Sequence, residues 1–294
     1  MRRPGEILSL ILLLFTVSLS AQNLKVISYN IWNGYEWGKD TVRERKAVAW
    51  IDAQEADVIA LQELCGFTRE KLSELAESWG HPFVEILKTQ GYPVGITSRK
   101  PIEVKERIFE GMHHGAMHCK TYGIDFMVIH FSPSSYKKRN EEASIILSRM
   151  SEIRKAQKYY MVLGDFNAVS PFDADYYKDK AKKLESMRAK ASNRNNEGNL
   201  FNGELEYGTI SSFLSFPFMD VVQRFTSGYD ERISFPTQVF EERPGEGRRY
   251  NSSRIDYILT SPELAKKCVD ARVLNGHETY YLSDHYPVLA VFEF

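Results

Sequence analysis

Apolar residues in this chain come in short runs that alternate or continue unbroken, and most of the runs stop at a polar side chain. LKVISYN, at 24–30, alternates and is rich in β-branched and aromatic residues, which predicts a strand delivering Asn30 to one edge. Thr41 followed by Glu44 forms a capping box for a helix over 41–56. ADVIALQEL then returns as a buried strand whose end carries Glu63, and 68–79 reads as a helix stopped by Gly80. In the middle of the chain FVEIL, VGITSR, EVKERIF and YGIDFMVIHF are strand-like, and Gly, Pro or short polar turns separate them, which favours antiparallel pairing. A helix over 135–159 leads into the buried run YYMVLGDFN. Beyond it 173–190 reads as a charged helix, NRNNEGN at 193–199 as a polar loop, and RIDYILTS and PVLAVFEF as the last strands.

The residues at the ends of these runs are of few kinds. They are Asn30 in SYNIW, Glu63 in ALQEL, His130 in FMVIHF, Asp165 and Asn167 in LGDFNA, Asp256 in RIDYIL, and Asp284 with His285 in SDHYPV. Taken singly, each is as readily a turn former or a helix cap. Together they supply what metal-assisted phosphoester hydrolysis needs: oxygen ligands for a hard cation, a group to activate water, and imidazoles to stabilise or protonate the phosphoryl group. Glu63 is the strongest candidate metal ligand, with Asn30 offering a neutral carbonyl beside it. On extended backbone Asp165 and Asn167 share one side, with Phe166 turned toward the core. Aspartate can orient water or take its proton, and an amide can donate to a phosphate oxygen. Asp284 and His285 are neighbours that face opposite ways, so the carboxylate orienting His285 comes from elsewhere in the chain. His130 suits protonation of a leaving alkoxide. His113 and His114, in GMHHGAMHCK, sit in a Gly-bounded turn and are candidates to contact substrate, an exposed turn being the alternative. His118, on the strand that follows, reads as structural.

Composition narrows the setting. The 294 residues carry 38 Lys and Arg against 39 Asp and Glu, a net charge of −1, whereas proteins that embrace long duplexes usually show a basic face. KKR at 137–139 and the pair Arg248 and Arg249 are local exceptions for which a solvated helix face or loop is the simpler reading. Cys65, Cys119 and Cys268 are odd in number and read as buried apolar thiols. Arg2 and Arg3 precede ILSLILLLFTVSLSA, shorter than the roughly 20 residues of a spanning helix. The expectation is a signal peptide over 1–21, cleaved near Ala21, and an exported protein, periplasmic or secreted, without stable membrane insertion. Residues 22–294 show no linker, repeat or low-complexity tract and read as one domain.

From Asn30 to His285 the chain resembles the endonuclease/exonuclease/phosphatase superfamily, with GDFNA and SDH as its most specific motifs. The superfamily includes pancreatic deoxyribonuclease, abasic-site endonucleases, inositol polyphosphate 5-phosphatases, deadenylases and neutral sphingomyelinases. The resemblance implies an α/β fold, a four-layer α/β/β/α sandwich of two largely antiparallel sheets packed face to face and flanked by helices. It further implies that Asn30 and Glu63 hold Mg2+, or Mn2+, with Asp284 contributing directly or through water. Asp165 and Asn167 would prepare water and bind phosphate, and Asp256 would fix the tautomer of His285. His130 is the residue carried by deoxyribonuclease-, sphingomyelinase- and deadenylase-like members where abasic-site endonucleases carry tyrosine. The implied activity is a phosphodiesterase or nuclease using in-line attack of water, with a phosphomonoesterase or sphingomyelinase-like hydrolase as the alternative. The substrate would be a nucleic acid, a phospholipid head group or a sugar phosphate, and no protein partner is implied. A non-catalytic binding module would be expected to lose Glu63, Asp165, Asn167 or His285, and all are present.

Overall fold

The computed structural model describes residues 23–178, 180–194, 198–240 and 252–294. The expected signal peptide, Arg248, Arg249 and part of the loop at 193–199 lie outside the described residues. The strands are β1 (Asn23–Asn30), β2 (Val58–Gln62), β3 (Phe83–Ile86), β4 (Gly95–Ser98), β5 (Glu103–Ile108), β6 (Ala116–Thr121) and β7 (Ile124–His130). They continue with β8 (Tyr160–Asp165), β9 (Leu200–Phe201), β10 (Glu204–Leu205), β11 (Met219–Asp220), β12 (Asp256–Thr260), β13 (Cys268–Val273) and β14 (Val288–Glu293).

Two six-stranded sheets carry the fold, in the orders β13-β14-β1-β2-β4-β3 and β11-β12-β8-β7-β6-β5. Each is antiparallel except at its centre, where β1 pairs with β2 and β7 with β8 in parallel. A parallel pair needs a crossover, and the helices Thr41–Ala53 and Tyr136–Ala156 supply one each. The antiparallel middle expected from the short turns is present in β3 with β4, β5 with β6 and β6 with β7.

Strand alternation sorts the apolar side chains into layers. Val26, Val58, Ala60, Phe126, Val128, Met161 and Leu163 meet between the sheets. Ile27, Ile59 and Leu61 face the other way, against Ala47, Ile51 and Leu72 of the first helical layer. Met127, Ile129 and Val162 pack outward on Ala143, Ile146, Met150 and Phe213. Burial on both faces explains why the central strands read as continuous apolar runs. The result is the expected four-layer α/β/β/α sandwich.

Two helix starts differ from expectation or refine it. Asp40, one residue before the expected box, caps the helix Thr41–Ala53 by accepting from Arg43 N at 3.0 Å, so Thr41 is already helical. The 173–190 stretch is a 3₁₀ turn and two helices, Ala174–Lys178 and Ala181–Arg194. Arg139 of the KKR run is buried and donates to Ser132 O at 2.8 Å, so it forms no surface patch. All three cysteines are free and buried. Among the described residues no helix is long and apolar enough to cross a membrane.

Candidate active site

The face that carries the inter-sheet core turns polar at the strand ends. Asn30 follows Val26 on β1, His130 follows Val128 on β7, Asp165 follows Leu163 on β8, and Asp256 shares its face of β12 with Ile258. Register then aligns them, because His130 lies opposite Asp165 and Asp165 opposite Asp256. The second sheet brings Asn30 to the same point, its Nδ2 lying 3.2 Å from Asp165 Oδ2. That oxygen is also 3.5 Å from His130 Nε2 and 3.8 Å from His285 Nε2. Asp165 is therefore the hub of the site.

Glu63 reaches this place by a different route. Continued alternation would send it outward with Ile59 and Leu61, but its φ of 60° turns it back. Its carboxylate accepts Asn33 N at 2.7 Å and Asn30 Nδ2 at 3.2 Å. Arg69 and Lys71, the cations nearest in sequence, pair with Glu85 and Glu44 instead. Asn33 belongs to Trp32–Gly38, a turn whose backbone is left-handed throughout, with φ of 51–57° from Asn33 to Trp37. Non-glycine residues there cost roughly 1–2 kcal/mol each, so the turn needs support from outside. Arg43 gives it: Nη1 donates to Ile31 O at 2.9 Å and Leu282 O at 3.3 Å, and Nη2 donates to Trp32 O at 2.9 Å. Arg43 thereby ties the loop after Asn30 to the one before Asp284. Nothing in its sequence context marked it.

Asn167 is not on extended backbone. With φ of 50° it closes an Asx-turn in which its own N–H donates to Asp165 Oδ1 at 2.8 Å. One amide hydrogen goes to Phe131 O at 3.0 Å, which leaves the other for a ligand. His285 Nδ1 lies 2.8 Å from Asp256 Oδ2, and Phe235 leans on its ring at 4.8 Å. Ser234, which no motif marks, accepts from Ile255 N at 3.0 Å and Asp256 N at 3.1 Å. Its carbonyl accepts from Tyr286 N at 2.7 Å, which fixes the dyad from both sides. Ser283 Oγ donates to Asn30 O at 2.7 Å and joins the Asp284 segment to β1.

The electrostatics follow from crowding in a dry place. Burial and then the charge of Asp256 push the Asp165 carboxyl well above the usual carboxylate range, against the pull of His285. Burial and then Glu63 raise Asp284 to about 6. Burial opposes charge on His285, but Asp256, Asp284 and Asp165 overcome it, so the imidazolium persists well above its ordinary range. His130 goes the other way, to about 3, through burial first and then the charges of His285, His113 and Lys88. Burial thus favours the neutral ring of His130 when no anion lies beside it.

His114 is buried and stacks on His130 at 4.2 Å, while His113 is exposed beside it at 4.3 Å. His113 is held by Glu142, buried in the helix Tyr136–Ala156, which accepts His113 N at 2.6 Å and Ser132 N at 2.8 Å. His118 is apart, bonded to Asp125 at 2.7 Å as a structural pair.

Two donor sets could hold a cation. Asp165, Asp256 and His285 present ligand atoms within 4.8 Å of one another, but His285 Nδ1 and Asp256 Oδ2 are bonded to each other at 2.8 Å. Glu63, Asn30 and Asp284 offer only oxygens as ligands, the kind a hard ion takes, with Asn30 Oδ1 also accepting Trp32 N at 3.0 Å. The second set fits a hard divalent ion better.

A sandwich of two such sheets, with amide, carboxylate and imidazole groups converging where the strands end, defines a phosphoester-hydrolysing enzyme. The chain belongs to the Endonuclease/Exonuclease/phosphatase family, whose model matches residues 27–285. The fold is similar to that of an AP endonuclease from Archaeoglobus fulgidus, at 21% identity and a TM-score of 0.65, over 92% of this chain and 99% of that one. It is also similar to the 3'-5' exonuclease NExo from Neisseria meningitidis, at 18% identity and a TM-score of 0.65, over 92% of this chain and 100% of that one. The 3' phosphatase NExo from Neisseria, bound to a product DNA hairpin, matches at 18% identity and a TM-score of 0.66 over the same shares. At such identities the likeness is one of fold. No curated protein matches the chain.

Proposed function

We propose that the protein is an exported, metal-dependent phosphodiesterase in which water attacks phosphorus in line with the leaving group. The observation that carries this reading is the convergence on Asp165 Oδ2 of Asn30, His130 and His285, at 3.2, 3.5 and 3.8 Å. Asn30, Glu63 and Asp284 would hold Mg2+ or Mn2+, which supplies positive charge to the phosphoryl oxygens. Asp165, raised by burial and by Asp256, is suited to take the proton of the attacking water. His285, kept cationic by Asp256, faces the negative charge that grows on the phosphoryl group, and the second amide hydrogen of Asn167 supports it. His130 donates an N–H on the leaving-group side, and the anionic phosphate itself favours protonation of the ring. Export is supported by Arg2, Arg3 and the apolar run after them.

Turnover of bis-p-nitrophenyl phosphate, p-nitrophenyl phosphate, DNA, RNA and sphingomyelin, with magnesium and with EDTA, tests this. The expected result is magnesium-dependent hydrolysis with diesters preferred. A preference for monoesters or sphingomyelin would favour the alternative hydrolases, and hydrolysis undiminished in EDTA would overturn the metal role.

A further inference from the structure

One buried guanidinium is tied to all three segments that carry the oxygen donors. Arg43 is oriented by Asp40, whose Oδ2 accepts from Nε at 3.3 Å, and it lies over the rings of Trp32 at 4.7 Å and Tyr35 at 5.1 Å. Its Nη1 donates to Ile31 O, the carbonyl after Asn30, and to Leu282 O, two residues before Asp284. Its Nη2 donates to Trp32 O, which shares a peptide group with the Asn33 N–H that holds Glu63 at 2.7 Å. Hydrogen bonds in such a chain polarise one another, so the hold on Trp32 O strengthens the hold on Glu63. Support of the left-handed turn would need only Ile31 and Trp32, whereas the bond to Leu282 O reaches across to the Asp284 segment. Beside it, Ser283 Oγ donates to Asn30 O at 2.7 Å and lies 3.3 Å from Asp284 Oδ1. Meeting three carbonyls at once needs the rigid planar fork of arginine, which the point charge of lysine does not reproduce.

We propose that Arg43, assisted by Ser283, is a positioning residue for the divalent cation, and that it sets the affinity of the ion by holding Asn30, Glu63 and Asp284 in register. This role rests on the assignment of those three residues to the metal in the function proposed above. Groups that orient metal ligands are typically worth 10–100-fold in affinity, at a distance from the ion itself. The sign separates alignment from charge. A fixed cation repels a divalent ion, so loss of the Arg43 charge alone would tighten binding, whereas loss of its alignment loosens it.

The experiment measures Mn2+ binding by the loss of the free-ion electron paramagnetic resonance signal, at a temperature well below each melting transition, for the wild type, Arg43→Lys, Arg43→Met, Ser283→Ala and Glu63→Gln. The magnesium dependence of bis-p-nitrophenyl phosphate hydrolysis is followed alongside for all but Glu63→Gln. Arg43→Lys and Arg43→Met should each raise the Mn2+ Kd roughly 10- to 100-fold, and saturating magnesium should restore most of kcat. Ser283→Ala should raise the Kd by a smaller factor. A lowered Tm with an unchanged Mn2+ Kd would leave Arg43 as support for the turn alone and overturn the proposal, as would tighter binding in Arg43→Met. Should the Arg43 variants fail to fold, Ser283→Ala decides, because it cuts the neighbouring tie between Asn30 and the Asp284 segment, and an unchanged Kd there overturns the alignment. A wild type that binds no Mn2+, or a Glu63→Gln variant that binds it as tightly as wild type, would remove the ligand assignment itself and the role of Arg43 with it.

Discussion

Replacing Asp256 by Asn keeps an acceptor for His285 Nδ1 but removes a unit charge 2.8 Å from it. At an effective dielectric of about 20, unit charges at that separation attract by about 6 kcal/mol, which favours the imidazolium. Asp165 and Asp284 remain and water can relax, so the His285 pKa should fall by less than that bare attraction implies. The sign is fixed by the folded state. A group whose pKa is raised on folding gives its stabilisation below its unfolded pKa and loses it as pH rises through the folded value. Activity that needs the imidazolium is lost over the same upper range. In wild type the basic limb of kcat/KM should therefore lie well above neutrality, and in Asp256→Asn it should move toward acid. The variant should lose about tenfold in activity for each pH unit by which its basic limb falls below the assay pH. The assay is hydrolysis of bis-p-nitrophenyl phosphate from about pH 5 to 10 at saturating magnesium, since the limbs report the essential acid and base. A basic limb that stays in place with full neutral activity would refute the role given to the dyad.

Three further outcomes are expected. His130→Ala should lose roughly 10²–10⁴-fold on a diester with a poor alkoxide leaving group and far less on a nitrophenyl ester, and equal losses would remove the leaving-group role. Gly34→Ala should lower Tm by several degrees or more, because φ is +55° and the added Cβ would stand 2.1 Å from Cys65 O, a cost of at least about 2 kcal/mol. An unchanged melting temperature would contradict the left-handed turn. Mass spectrometry of protein released from the periplasm or medium should find an N-terminus near Gln22, and full-length chain found only in membranes would contradict export.

The strands and the polar residues that end them were legible because burial on both faces leaves unmistakable apolar runs, with the first polar residue at the rim. What alternation could not supply was backbone turning out of the extended region. Glu63 and Asn167 reach the site through positive φ, which tertiary contacts impose on non-glycine residues and no local pattern announces. The turn Trp32–Gly38 was invisible for the same reason. Arg43, Glu142 and Ser234 were missed because each works through backbone groups remote in sequence, and such partners leave no motif. The mistaken cap at Thr41 shows a smaller limit, since Asp40 satisfies the same amide geometry one residue earlier.

The central claim is that the buried carboxylate of Asp165 activates water at phosphorus. The most direct measurement is kcat of Asp165→Asn on bis-p-nitrophenyl phosphate with saturating magnesium, where the good leaving group puts the demand on the attacking water. A fall of roughly 10²–10⁴-fold with an unchanged melting curve is the result the account predicts, and turnover within a few-fold of wild type would contradict it.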